Sequence, residues 1–120
     1  MWDQHTVLAT NTSALSVVGI GSGTTRLAEV IGIHGSPLAV PMSEIVKTIV
    51  TSDDTREQTK YFVVSLGLGF IVVPDVPGFM TNRVQMPYRL SAVRTLEAGI
   101  ASRDEIDACI NPKISGRQSK

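Results

Sequence analysis

Short apolar runs alternate along the chain with polar, glycine-rich and proline-rich breaks, and the period of each run predicts its element. Thr6-Val7-Leu8-Ala9 is a short β-prone run, stopped by the polar cluster Thr10-Asn11-Thr12-Ser13. Residues 14–20 predict a short helix with Ser13 as its cap, after which Gly19, Gly21 and Gly23 loosen the chain. Val30-Ile31-Gly32-Ile33-His34 reads as a buried strand with a histidine at its C-terminal end. Gly35, Ser36, Pro37 and Pro41 mark a turn-rich stretch. Residues 44–51 alternate and are β-branched, predicting a second strand. Asp53-Asp54-Thr55 starts a helix with two acids near the positive end of its dipole, ending at Gly67 or Gly69. Residues 70–73 predict another strand, and Asp75-Val76-Pro77-Gly78 a turn. Val84, Leu90, Val93, Leu96 and Ile100 recur at helical spacing, predicting a long helix over residues 79–100 despite Pro87, with Gly99 as terminator. Ser102 followed by Glu105 has capping-box form and opens a last helix, and residues 111–120 are expected to fray.

Strand, strand, helix, strand and then helices is an α/β order passing into a helical part, with the boundary expected near Pro74–Pro77. The chain has 120 residues, 42% of them hydrophobic and 18% charged, which suits a soluble globular protein rather than a disordered tail. Its 11 basic and 11 acidic residues cancel, so no basic excess points to nucleic acid or to an anionic membrane. Cys109 is the single cysteine and cannot form an internal disulfide; it is expected to be a small buried apolar residue. The first residues have neither the positive start nor the apolar stretch of a secretory signal, and a cytoplasmic location is the default expectation.

Three clusters combine polar groups with strand ends and helix starts, where open α/β sheets place their ligands. They are Asn11-Thr12-Ser13, His34 with Glu44 ten residues on, and Asn82-Arg83 after Pro77-Gly78. A carboxylate that fixes a histidine's tautomer lets the ring take a proton from an alcohol near neutral pH. A serine hydroxyl and an asparagine amide can hold a substrate oxygen and stabilise developing charge. The combination suits hydride removal from a secondary alcohol.

Other candidates carry less. Gly19-Ile20-Gly21-Ser22-Gly23-Thr24 superficially resembles a dinucleotide phosphate loop, but Thr24 stands where its third glycine should fall, and a flexible or helical connection is the better reading. Asp104, Glu105 and Asp107 on a helix cap are expected to be solvated rather than metal-binding. Tyr61 and Phe62 are expected in the core.

Taken together, the clusters resemble the 3-hydroxyacyl-CoA dehydrogenase family, including its 3-hydroxybutyryl-CoA members. The resemblance runs through Leu8-Ala9-Thr10-Asn11-Thr12-Ser13, Gly32-Ile33-His34, Glu44-Ile45-Val46-Lys47-Thr48, Pro87-Tyr88 and Glu97-Ala98-Gly99. Its most specific block is Asp75-Val76-Pro77-Gly78-Phe79-Met80-Thr81-Asn82-Arg83. The resemblance implies that His34 is the catalytic base, Glu44 its carboxylate partner, and Ser13 a serine near both substrate oxygen and nicotinamide. It implies that Asn82 helps to hold the substrate and that Asn11 approaches the cofactor, NAD. The implied fold is α/β: residues 1–76 form the C-terminal half of a Rossmann-type NAD-binding domain, and residues 77–120 the first helices of an all-α domain. The implied partners are an acyl-CoA substrate and a second copy of the chain through the helical part.

The departures from the family pattern are equally specific. The family's opening strand and glycine-rich pyrophosphate loop have no counterpart here. Gly35-Ser36-Pro37-Leu38 replaces the family's Phe-Phe-Asn-Pro after the histidine, so Pro37 stands near the asparagine position. Pairing Glu44 with the family glutamate requires a two-residue deletion, and a register change can turn a strand face over. The isolated chain is therefore expected to be weakly active or inactive. The rival readings are a truncated product, half of a split enzyme needing a partner chain, or another NAD-dependent two-domain dehydrogenase whose hydroxy acid carries no CoA.

Overall fold

A computed structural model describes residue 3, residues 5–35 and residues 41–110. The chain divides into two compact units, Met1–Arg83 and Val84–Lys120. The first is built on a four-stranded sheet of β1 (Leu8–Thr10), β2 (Val30–His34), β3 (Met42–Lys47) and β4 (Gly69–Pro74), in that spatial order. Helix α1 (Val17–Gly21) lies in the parallel connection from β1 to β2, and α2 (Asp53–Ser65) in the parallel connection from β3 to β4. Only β2 and β3 run antiparallel, with His34 directly opposite Glu44.

Strand alternation sorts the core onto the two faces of this sheet. Ile31, Ile45 and Val63 of α2 form one buried cluster, joined by Ile33 and Phe70. Val17 of α1, Val30, Val46, Val73 and Phe79 form the other. His34 and Glu44 share this second face with Val30 and Val46, because side chains an even number of positions apart point the same way. Gly32 lies on the same face, and a Cβ there would come within 2.9 Å of Val46 Cβ and 3.0 Å of Val17 Cγ2. The close approach of α1 to the sheet thus requires a glycine at this point.

Several boundaries differ from the expected ones. The short helix starts at Val17, and its cap is Ser16, whose Oγ accepts from the Gly19 N–H, rather than Ser13. Strand β3 stops at Lys47 instead of reaching Thr51, because the Thr48 and Thr51 hydroxyls each accept from the other's backbone N–H and close a turn. Helix α2 keeps its expected bounds, starting at Asp53 behind the Ser52 cap and turning off at Gly67, whose φ of 75° favours glycine.

Tyr61 and Phe62 are 77% and 54% exposed and are not core residues. Helix α2 buries Thr55, Thr59 and Val63 at a spacing of four, which turns the adjacent aromatic pair away from the sheet. Phe62 instead lines an open apolar recess beside β1 with Val7, Ala9 and Ile33.

Helix α3 (Thr81–Glu97) carries Pro87 and ends before Gly99, which has φ 67°. Helix α4 (Arg103–Ile110) has its capping box: Ser102 N–H and Oγ both donate to Glu105 Oε2, at 2.8 and 2.7 Å. Cys109 is exposed, not buried, since α4 turns only Ile106 and Ile110 partly inward. Among the described residues, no helix is long and apolar enough to cross a membrane. The Ser36–Pro37 turn and the expected fraying of residues 111–120 lie outside the described residues.

Candidate active site

Glu44 is the most constrained polar residue of the sheet. It is only 3% exposed, yet both carboxylate oxygens are fully engaged. Oε2 lies 2.7 Å from His34 Nδ1. Oε1 accepts the backbone N–H groups of Met80 and Thr81, at 2.8 and 2.9 Å. Those two amides open helix α3, so the carboxylate also sits at the positive end of that helix dipole. Burial pushes the Glu44 carboxyl up. The bonds from His34, from the N–H and hydroxyl of Thr81 and from the Met80 N–H outweigh it and hold the group below its ordinary value.

An ionised carboxylate can only accept hydrogen bonds, so the proton between Glu44 and His34 rides on Nδ1. The far nitrogen, Nε2, is then the basic one, and it has no protein partner among the described residues. The ring is 15% exposed, open enough for a small group to reach it. Phe79 holds its other side, with ring centroids 5.6 Å apart and planes inclined by 59°.

The segment after β4 makes this geometry possible. Gly78 and Phe79 both have positive φ, 76° and 44°, and Phe79 is the only non-glycine of that kind among the described residues. A bulky side chain in that conformation costs on the order of 1–3 kcal/mol and persists only when its surroundings over-determine it. Here the turn buries Phe79 under His34 and aims the next two amides at Glu44.

Asn82 lies one residue into α3, and its Nδ2 donates to the backbone carbonyl of Ser13 at 2.8 Å. The structure therefore brings His34 to Glu44, and Asn82 to the loop of residues 11–16. Ser13 and Asn11 are exposed at the carboxyl end of β1, and neither side chain bonds to another described residue. No hydrogen bond joins Ser13 or Asn82 to the His34–Glu44 pair among the described residues.

Three contributors went unassigned in the sequence. Asp75, Phe79 and Thr81 lie inside the most specific matching block, which is the available signal, but of that block the resemblance implies a role for Asn82 alone. Asp75 accepts from Ser16 Oγ, Val17 N–H and Val18 N–H, at 2.9, 3.0 and 2.8 Å.

Exposed, uncommitted amide and hydroxyl groups at the carboxyl end of a parallel strand fit the reactive end of a nicotinamide dinucleotide. The phosphates find no such fit in the glycine run. Gly21 ends α1 packed against Leu27 and Val30, so its missing Cβ serves helix–strand packing rather than an approach by phosphate.

Because its folded pKa is depressed, Glu44 contributes stability that is fully present above the ordinary glutamate pKa. That stability drains away as the pH falls through the lowered folded value. Chemical denaturation from neutral into acid pH is expected to show this loss in the wild type, and a shallower acid limb in Glu44→Gln.

The sequence matches the profile of the 3-hydroxyacyl-CoA dehydrogenase NAD binding domain over residues 1–76, and that of the family's C-terminal domain over residues 78–116. It is 38% identical over 109 residues to the mitochondrial hydroxyacyl-coenzyme A dehydrogenase of Homo sapiens, covering 89% of this chain and 35% of that protein. It is 34% identical over 116 residues to the 3-hydroxybutyryl-CoA dehydrogenase of Mycobacterium tuberculosis, covering 94% and 41%. The crystal structure of Mycobacterium tuberculosis FadB2 superposes with a TM-score of 0.84 at 31% identity, covering 97% of this chain and 42% of that one. The (S)-3-hydroxybutyryl-CoA dehydrogenase of Ralstonia eutropha gives 0.78 at 30% identity, covering 92% and 40%. The chain thus spans roughly two fifths or less of the length of these relatives. With an α/β unit matching the NAD-binding domain and helices matching the C-terminal domain, this chain belongs to the 3-hydroxyacyl-CoA dehydrogenase family.

Proposed function

We propose that the chain carries the acid–base part of an NAD-dependent 3-hydroxyacyl-CoA dehydrogenase, interconverting a 3-hydroxyacyl-CoA and its 3-oxoacyl-CoA. The observation that carries this reading is the His34–Glu44 pair, with its carboxylate buried and Nε2 without a protein partner among the described residues. Glu44 fixes the ring and stabilises the imidazolium that forms when Nε2 takes the C3 hydroxyl proton. Ser13, on the loop tied down by Asn82, orients the same oxygen, and Asn82 shapes the substrate side. Asn11, exposed just after β1, would hold the nicotinamide end of the cofactor. The nicotinamide, when bound, accepts the hydride that leaves C3 as the C–O bond becomes a carbonyl. In the reverse direction His34 returns its proton to the forming alkoxide.

The reading assigns residues 1–76 to the cofactor-binding part and residues 77–120 to the start of the helical part, in keeping with the spans of the two matching profiles. It takes an acyl-CoA as substrate, a cytoplasmic site of action, and a second copy meeting the helical part. Val84, Leu90, Val93 and Leu96 of α3 are exposed apolar side chains suited to such a contact.

A second reading is that the chain works only with a further segment or partner chain that pairs with β1. The position of β1 at the sheet edge and the apolar recess beside it favour this. Oxidation of NADH with acetoacetyl-CoA, set against free acetoacetate, tests the primary reading. Slow turnover, and with the thioester alone, is expected. Equal turnover of both would reject CoA recognition, and turnover that appears only after adding a chain with a phosphate-binding loop would favour the second reading.

A further inference from the structure

We infer that Asp75 is a positioning residue that locks the Asn11–Ser16 loop, and with it Ser13, to the segment that also holds His34 and Glu44. The inference rests on the dehydrogenase reading for its catalytic consequence, but its geometry stands apart from that reading.

The loop of residues 11–16 is fixed by β1 at one end, where Thr10 is paired with Gly32 of β2. Its other end enters α1, a helix too short to be stable by itself. Asp75 supplies what α1 lacks. Its carboxylate takes the first two helical amides and the Ser16 hydroxyl at 2.8–3.0 Å, across 57 to 59 residues of sequence. Bonds to an ionised acceptor are the stronger kind and hold their donors in a narrow geometry. Asp75 is itself fixed, since its N–H donates to the Lys47 carbonyl at the end of β3. Four residues later Phe79 meets the His34 ring, the next two amides meet Glu44, and Asn82 takes the Ser13 carbonyl. One eight-residue stretch, 75–82, therefore sets the distance between the acid–base pair and the serine loop. Without Asp75 the loop keeps its internal Thr10–Thr12 and Thr12–Leu15 bonds, the packing of Val17 and the Asn82 contact near its middle, but loses the side-chain bonds that tie its Ser16 end to the 75–82 stretch.

The test compares wild type, Asp75→Asn and Ser16→Ala by amide hydrogen exchange and by steady-state turnover of acetoacetyl-CoA with NADH. The asparagine amide keeps one acceptor oxygen and presents a donor in place of the other, so it cannot serve Val17 and Val18 together. Exchange at Val17 and Val18 is expected to rise about tenfold or more in Asp75→Asn, and less in Ser16→Ala, with Ile45 and Val46 unchanged. The kcat of Asp75→Asn is expected to fall about 10- to 100-fold with little change in KM, since small misplacements of a reacting group cost that much. Unchanged exchange at Val17 and Val18 would overturn the anchoring. Faster exchange with wild-type kcat would overturn the link to Ser13 placement. If Asp75→Asn loses the core amides too, the graded response of Ser16→Ala decides between the same outcomes. An inactive wild type counts against the dehydrogenase reading and leaves the exchange data to judge the anchoring.

Discussion

His34→Ala is expected to lower kcat for acetoacetyl-CoA reduction by about a hundred- to ten-thousand-fold while leaving KM nearly unchanged, the usual size of a lost general acid–base group. The argument is one of position. Nε2 is the only basic atom of a half-buried, carboxylate-held ring, and it is the atom left without a protein partner among the described residues. The change leaves Glu44 Oε2 without its partner and so costs stability, but Oε1 keeps both helix amides and the fold is expected to persist. The ring is partly exposed, and the core around Val46 and Val73 stays closed by Phe79. Circular dichroism alongside the NADH assay separates the two effects. Wild-type turnover in a folded His34→Ala protein would remove His34 from the mechanism.

Glu44 yields the second large effect, and its two simplest substitutions are expected to act differently. Glu44→Ala leaves the Met80 and Thr81 amides and the His34 Nδ1–H without an acceptor in a site that is 3% exposed. Each buried donor left unsatisfied costs about 1–3 kcal/mol, so the loss is a large share of the roughly 5–15 kcal/mol that holds a domain together. Glu44→Gln keeps the shape. Its carbonyl oxygen can still accept the two helix amides, which turns the amide NH2 toward His34 and forces Nδ1 to become the acceptor. The proton then moves to Nε2, where a base is needed. A histidine locked in the wrong tautomer loses on the order of ten-thousand-fold in kcat in the serine-protease triad, and a loss of similar size is expected here. Urea melts and turnover measured on both variants check this. A Glu44→Gln protein that is stable and fully active would reject the tautomer argument.

Much of the scaffold was legible because its signals are local. The strand ending in His34, the helix opened by Asp53-Asp54, the capping box of Ser102 and Glu105, and the stop at Gly99 each depend on a few neighbouring residues. The opposition of His34 and Glu44 was less legible, since the two-residue deletion left their pairing open until the ladder resolved it. An even-numbered deletion between two antiparallel strands keeps each side chain on its own face, and the two residues are direct partners in the ladder.

What was illegible depends on distant partners. Ser13 looked like the cap of α1 because the true arrangement needs Asp75, 59 residues from Ser16. Glu44 gave no sign of closing the start of α3, because its donors there are backbone amides that any sequence possesses. Tyr61 and Phe62 looked like core from hydrophobicity alone, whereas the buried stripe of α2 follows Thr55, Thr59 and Val63. Threonines whose hydroxyls bond to nearby backbone carbonyls, as Thr59 does to Thr55, can occupy a packed face that reads as polar.

The central claim is that His34 and Glu44 form an assembled pair with the proton on Nδ1 and a basic Nε2. Imidazole nitrogen-15 NMR at neutral pH, on wild type and Glu44→Gln, tests it directly. The account predicts an Nδ1-bound proton in the wild type, shifted downfield by its bond to the carboxylate, and an Nε2-bound proton in the variant. A wild-type ring carrying its proton on Nε2 would contradict it.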